Sequence, residues 1–256
     1  MIKVSPLFSG SRGNCTLIQT QHTNILLDAG FGYKAIANAL ERKGLAPSDI
    51  CGIVISHEHS DHIGALSQFC KLWSTPVYAP KPIADYLREK VHPSTVTAID
   101  GRFILGDVTV DTYECSHDAR CCFGYRFNSD NNYFACVTDT GCETDELVAF
   151  LSPCETVMLE SNHDVDMLSR GDYPYPLKQR ILSKFGHLSN AQAAAILKRL
   201  VGSSVRNVIL AHLSEQNNTK ELAFNSVVSM YAEMGVVEGK DITVYVCDQY
   251  KNEVTI

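Results

Sequence analysis

Short apolar runs alternate with small polar residues over the first 30 positions. Apolar stretches at 2–8, 15–19 and 24–28 are broken by Ser9-Gly10-Ser11-Arg12-Gly13-Asn14 and by Ala29-Gly30, the pattern of β-strands joined by tight turns. Residues 33–43 carry apolar side chains at 33, 36, 37 and 40 and stop on Gly44, which predicts a helix with a glycine terminator. A buried strand follows at 50–55, a polar run at 56–62, and helical spacing resumes at 63–72. A polar loop between a strand and a helix holds reactive side chains on a rigid scaffold.

Further along, 107–113 alternates polar and apolar positions, 124–127 and 133–137 read as paired strands around an Asn-rich turn, 143–151 as a helix and 156–159 as a buried strand. The last third repeats the alternation with helix 190–201, strand 205–211, helix 220–234 and strand 242–246. Two successive halves of strands then helices predict an α/β chain whose sheets pack face to face with helices outside. No linker or repeat divides them, so residues 1–256 are expected to form one domain, a size that can bury a sizeable core.

Composition narrows the class. With 45% hydrophobic, 20% charged and 9% aromatic residues, disordered, collagenous and coiled-coil chains are excluded. Met1-Ile2-Lys3-Val4-Ser5-Pro6 is no secretory signal, and no apolar run approaches the ~20 residues that cross a bilayer. A cytoplasmic protein without a membrane partner is expected. Ten cysteines without a CxxC pair read as reduced thiols rather than a disulfide framework or zinc ribbon. Net charge is 22 − 29 = −7, which argues against coating nucleic acid by bulk electrostatics. Yet between 168 and 206 seven basic residues (Arg170, Lys178, Arg180, Lys184, Lys198, Arg199, Arg206) face one acid, Asp172. That segment is either a phosphate-binding face or a solvated helical surface.

The chemistry concentrates in His57-Glu58-His59-Ser60-Asp61-His62. In an extended segment residues i and i+2 point the same way, while Asp61 and His62 fall where the chain turns into a helix, so two metal positions can be served. Neutral imidazoles with carboxylates suit Zn, Mn or Fe(II) better than Mg or Ca. Four ligands do not close two sites. Three further candidates each follow a strand-like segment: His117, Asp139 and His212.

In that order these residues resemble the metallo-β-lactamase superfamily. The resemblance implies an αββα four-layer sandwich over essentially the whole chain, and two divalent ions per chain, Zn or Mn with Fe also possible. His57, His59 and His117 would hold one ion, Asp61, His62 and His212 the other, with Asp139 bridging. Asp rather than Cys at 139 is similar to the two-metal hydrolase and nuclease branches. The order of Glu160-Ser161-Asn162-His163-Asp164 and Gly186-His187-Leu188-Ser189-Asn190 resembles the tRNA 3′-processing nucleases. It implies that Glu160 charges or orients His187, which donates a proton, beside Asp61. The plainer alternative makes Glu160 the partner of a metal-bound histidine and His187 a cap residue.

With Ser9–Asn14 and Ala211-His212-Leu213-Ser214 added, the set is most similar to the bacterial YycJ/WalJ group, associated with 5′ to 3′ DNA exonuclease activity. Asp139 and His212 lie 212 − 139 = 73 positions apart, so the β-CASP domain inserted in RNase J relatives is absent. The implied function is a two-metal phosphodiesterase on nucleic acid, most simply DNA, with a metal-bridging hydroxide as nucleophile. A helix opening after Leu188-Ser189 would aim free N–H groups at an anion, making Ser189 and Asn190, with Lys184 and Arg180, candidate substrate contacts. Asp118, Asn162 and His163 fit either ligand support or substrate contact, and Tyr173 and Tyr175 either base stacking or packing. The competing readings are a small-molecule metallohydrolase of thioester, lactone or β-lactam, and a non-enzymatic metal-stabilised binding module.

Overall fold

The computed structural model describes residues 1–250, 252 and 254–256, the Ser94 side chain excepted. Lys3–Phe8 (β1), Cys15–Gln19 (β2) and Asn24–Leu27 (β3) pair antiparallel, and Gly52–Val54 (β4), Val77–Pro80 (β5) and Val96–Ile99 (β6) extend that sheet in parallel. Phe103–Leu105 (β7), Val108–Glu114 (β8), Phe123–Ser129 (β9) and Asn132–Val137 (β10) form an antiparallel meander. Thr156–Glu160 (β11), Asn207–Ala211 (β12) and Thr243–Val246 (β13) continue this second sheet in parallel from β10. Asp130 and Asn131, with φ of 52° and 61°, make the β9–β10 turn, a conformation that short polar side chains tolerate best.

Alternation along the strands decides the layering. Ile18, Ile25, Leu27 and Val54 of the first sheet meet Val110, Phe127, Phe134, Met158 and Ile209 of the second in one buried cluster. Their neighbours Leu17, Leu26 and Ile53 turn to the other face, under Tyr33–Arg42 (α1), Ser60–Ile63 (α2), Leu66–Trp73 (α3) and Lys81–Arg88 (α4). On the second sheet Val137, Val157, Leu159, Val208 and Leu210 point outward, covered by Asp145–Leu151 (α5), Asn190–Arg199 (α8) and Lys220–Glu233 (α9). Val165–Arg170 (α6) and Tyr175–Leu182 (α7) lie between β11 and α8. The layers are therefore α, β, β, α, and each fully buried Leu or Ile contributes roughly 1.5–3 kcal/mol of transfer free energy. No helix among the described residues is long and apolar enough to cross a membrane.

Several local features depart from the sequence pattern, among them α6 and α7, which fall where it gives no element between 159 and 190. The pattern gives no element between 72 and 107, where β5, α4, β6 and β7 lie. The helix expected at 63–72 is divided, α2 ending at Ile63 and α3 starting at Leu66, because the chain at Gly64 packs on the Gly30 carbonyl, 2.5 Å from where a Cβ would stand. α5 starts two residues later than expected, since the Thr144 side chain accepts from the Leu147 N–H as the cap.

Candidate metal centre

β1, β3, β4, β8, β10, β11 and β12 all run toward one edge of the sandwich, and the residues that follow them converge there. Asp28 follows β3, the 56–62 loop follows β4, and His117, Asp139 and His212 follow β8, β10 and β12, with Glu160 closing β11. Asp28, Asp139 and His212 adopt left-handed backbone, φ 60°, 57° and 56°, at about 1–2 kcal/mol each for an L-residue. Strain concentrated at one edge is a mark of a site whose geometry the fold enforces.

Potential ligand atoms fall into groups within 4.8 Å of one another: His57, His59 and His117; Asp61, His62 and His212; and Asp139 with His57 and His62 and again with Glu160, His187 and His212. Asp139 thus stands between the two trios that the sequence separates. The outer nitrogen of most imidazoles is already engaged. His62 Nδ1 donates to Asp28 Oδ2 (2.7 Å), whose carboxylate also accepts from the Ser56 N–H and hydroxyl, each at 2.8 Å. His117 Nδ1 donates to the Gly186 carbonyl (3.2 Å) and His212 Nδ1 to Glu160 Oε1 (2.8 Å). These partners fix the tautomer and turn Nε2 inward as a lone-pair donor. His59 differs, presenting Nδ1, 3.0 Å from His57 Nε2.

Electrostatics fit a cation. Burial holds His57 well below, and His117 below, the usual imidazole value, so both present lone pairs. Burial resists ionisation of Asp139, but His212, His62 and His57 outweigh it and hold the carboxyl well below its usual range. Glu160 is likewise buried, and His187 brings it down to about 2. Two buried atoms at the centre, Asp139 Oδ2 and His212 Nε2, have no hydrogen-bond partner among the described residues. An orphaned lone pair in the interior is costly unless something coordinates it. A mixed imidazole and carboxylate donor set around such atoms fits a divalent transition ion.

The 57–62 loop approaches the turn after β3 closely: a Cβ on Gly30 would stand 1.6 Å from the Asp61 carbonyl. Asn14 holds the loop from the other side, its N–H donating to the Asp61 carbonyl at 2.8 Å and its side-chain amide to His62 Nε2 at 3.1 Å. Above the ligands lies a pocket of about 230 Å³ whose far wall is Tyr173, Leu177, Arg180 and Ile181. His187 faces it and gives Nδ1 to Glu160 Oε1 at 2.8 Å. Burial opposes a charge on His187, yet Glu160 and then Asp139 raise its pKa above the usual value.

Most residues singled out from the sequence converge here: His57, His59, Asp61, His62, His117, Asp139, Glu160, His187 and His212. Arg180 lines the pocket and is paired with Asp118 through both carboxylate oxygens. Ser189 and Asn190, expected as substrate contacts, are not among the described residues that line this pocket. Ser189 Oγ accepts from the Gln192 N–H while the Gln192 side chain accepts from the Ser189 N–H, and Asn190 is buried against Ser161 and Asn218. The N–H of Leu188 goes to Glu160 and that of Asn190 to the His163 carbonyl, so these donors at the start of α8 are already engaged. Lys184 does not line the pocket; its ammonium lies 4.9 Å from the Phe185 ring centroid and its carbonyl accepts from Ser116 Oγ. Asn162 lines the pocket and donates to the His212 carbonyl at 2.9 Å, whereas His163 is fully buried with both ring nitrogens unpartnered. Tyr173 lines the pocket and Tyr175 is 73% exposed outside it. Sequence reasoning missed Asp28, Ser56 and Asn14 as supports. Their one signal is position, Asp28 closing an apolar run before Ala29-Gly30.

A layered αββα sandwich with histidines and carboxylates at one edge defines a class, and the matching family model, the β-lactamase superfamily domain, spans residues 23–213. The chain belongs to the metallo-β-lactamase superfamily, and is a metal-dependent hydrolase that binds divalent metal. Among its relatives is Exodeoxyribonuclease WalJ of Streptococcus pneumoniae serotype 2 (strain D39 / NCTC 7466), 34% identical over 250 residues covering 95% of this chain and 93% of that one. Exodeoxyribonuclease YycJ of Bacillus anthracis is 35% identical over 252 residues, covering 95% and 94%. The metallo-β-lactamase fold protein YhfI from Bacillus subtilis superposes with a TM-score of 0.75 at 14% identity, covering 100% of this chain and 99% of that one.

Proposed function

We propose that this chain is a two-metal phosphodiesterase acting on nucleic acid, a 5′ to 3′ DNA exonuclease. The observation that carries the reading is the Glu160–His187 pair beside the metal ligands, a proton donor placed where a phosphate ester needs one. The names of the S. pneumoniae and B. anthracis relatives support the substrate class and the exonucleolytic action.

In this reading His57, His59 and His117 hold one ion, Asp61, His62 and His212 the other, and Asp139 spans both, consistent with its membership of two ligand groups. Bound divalent ions, Zn or Mn, supply Lewis acidity at the phosphoryl oxygens and an acidified water. Asp61, the more exposed of the two carboxylates, orients the attacking water from the pocket side. His187, its Nδ1 fixed by Glu160, presents Nε2 to the pocket and protonates the departing oxygen, and Glu160, outweighing the burial, raises its pKa in favour of the donating form. Arg180 exchanges Asp118 for a substrate phosphate oxygen. The middle core, built from strands of both halves, supports one catalytic domain over residues 1–256.

The test is degradation of 5′-phosphorylated duplex DNA, matched single strands and RNA by metal-stripped protein reloaded with Zn or Mn, with His187→Ala as control. Mononucleotides released from the 5′ end by wild type and lost in the variant are expected. Turnover of a thioester or lactone without cleavage of any nucleic acid would replace the nuclease reading.

A further inference from the structure

A second concave surface lies outside the metal pocket. A cleft of about 980 Å³ opens beside α3, β5 and β6, and its lining includes Ser67, Lys71, Ser74, Lys90, His92 and Thr97. None of its described lining residues is acidic, on a chain whose net charge is −7. A smaller cavity of about 370 Å³ shares Ser67, Lys90 and Val91 with it and reaches Glu58 and Ser60. The next residues of that loop, His59 and Asp61, line the metal pocket. The ligand loop is thus the wall between the reacting centre and a track that leads away from it.

Two cations, Lys71 and Lys90, lie along the track. Lys81, Arg88, Arg102, Arg180, Arg199 and Lys220 each pair with a carboxylate. Lys71 and Lys90 make no ion pair with a described residue, and Lys90 rests 5.2 Å from the Tyr86 ring centroid while the Arg120 guanidinium lies 5.1 Å from it. Arg120 in turn donates its backbone N–H to Glu58 of the ligand loop at 2.8 Å. In the larger cleft, ammonium groups beside hydroxyls, with no carboxylate among the described lining residues, suit a row of phosphates.

We propose that this cleft carries the sugar–phosphate backbone of the nucleic-acid strand that continues past the bond being cut. The inference rests on the nuclease reading and adds to it a binding track for the uncut part of the substrate. From Ser67 to Ser74 the wall runs about 10 Å at the ~1.5 Å rise per helical residue, which matches about three phosphates of one strand at the ~3.4 Å rise along a duplex axis. Binding there is independent of base sequence, because the contacts are to phosphate and the recognition is by charge and hydroxyl donors. The track also makes efficiency depend on substrate length, since only a strand that continues past the ligand loop reaches it.

The experiment compares metal-loaded wild type with a Lys71→Glu/Lys90→Glu double variant on three substrates: bis(p-nitrophenyl) phosphate, a 5′-phosphorylated 4-mer and a 30-mer. Expected is a roughly tenfold or greater fall in kcat/KM on the 30-mer, carried by KM, with the salt slope less steep by about 1–2. The 4-mer and the small diester should stay within twofold, and Lys71→Arg/Lys90→Arg should restore the 30-mer. An unchanged 30-mer, or an equal fall on all three substrates, overturns the track while leaving the nuclease reading intact. Wild-type turnover of the small diester without cleavage of either oligonucleotide overturns both.

Discussion

One oxygen of Glu160 accepts from His187 and from His212, each at 2.8 Å, and the other accepts from the N–H groups of Thr140 and Leu188, each at 3.1 Å. The proton-transfer and metal-support readings of this residue are therefore both geometrically met. They separate by measurement. His187→Ala should lower kcat by about 10²–10⁴ with full metal content, whereas Glu160→Gln should lower turnover and also weaken metal affinity about 10–100-fold. Metal analysis of the two purified variants decides; equal, full occupancy in both would confine Glu160 to His187. Asp61→Ala and His62→Ala should abolish hydrolysis with the far-UV spectrum unchanged, since both sit in the single turn of α2, and a variant retaining its rate would remove the two-metal reading. At this scale the ligands were legible because four of them crowd into six positions and the rest close strands. Asp28 and Asn14 were not, since an isolated Asp or Asn before a turn has the same sequence signature whether it supports an imidazole or only the turn. Ser189 and Asn190 were singled out because a helix start exposes N–H groups in sequence, while here Gln192 accepts from the Ser189 N–H and Glu160 from the Leu188 N–H.

Elements bring their own tests. A methyl group at Gly30 meets the Asp61 carbonyl at 1.6 Å, so Gly30→Ala must push the ligand loop away, destabilising by about 1–3 kcal/mol as overpacking does. A lowered Tm with reduced metal content is expected, and normal occupancy would show that the loop has slack. On the second sheet Asp111 of β8 pairs with Arg102 and with Arg126 of β9, which also donates to the Phe150 carbonyl of α5. Partial burial resists ionisation there, but the two guanidinium groups hold Asp111 below its usual pKa. A depressed folded pKa means stability that is present above the unfolded carboxyl value near 4 and fades as pH falls through the folded one. Asp111→Asn should therefore cost about 0.5–1 kcal/mol at pH 7 in low salt, with the two melting curves merging in acid. Long, strongly patterned elements such as β11, β12 and α9 were readable from the sequence. β5, α4 and β7 were not, because β5 ends on Pro80, α4 carries Pro82 in its first turn and β7 is three residues long.

On the scale of the molecule, three apolar layers exist independently of the metal edge, so chelation should loosen the edge and spare the scaffold. Removal of divalent ions leaves Asp61 and Asp139 with the imidazoles of His62 and His212 beside them. The Tm should fall and return on adding Zn or Mn, a site held at about 1,000 times its Kd contributing about 4 kcal/mol. An unchanged Tm would mean that no ion binds the folded chain with useful affinity. The αββα order was accessible from the alternation of the strands, whereas the register of the two halves was not, because it depends on contacts such as Ser9 Oγ with the His212 N–H, 203 positions apart.

That separation has a consequence in time. The chain is made from its N-terminus at about 5–20 residues per second, so the 212 − 62 = 150 residues between His62 and His212 take about 8–30 s. Throughout that interval the nascent chain carries the HxHxDH loop without its last partner. An ion captured early can be held by His57, His59 and, later, His117. In the two-ion reading the trio of Asp61, His62 and His212 closes only after His212 has been added, so the position of His57, His59 and His117 is complete first.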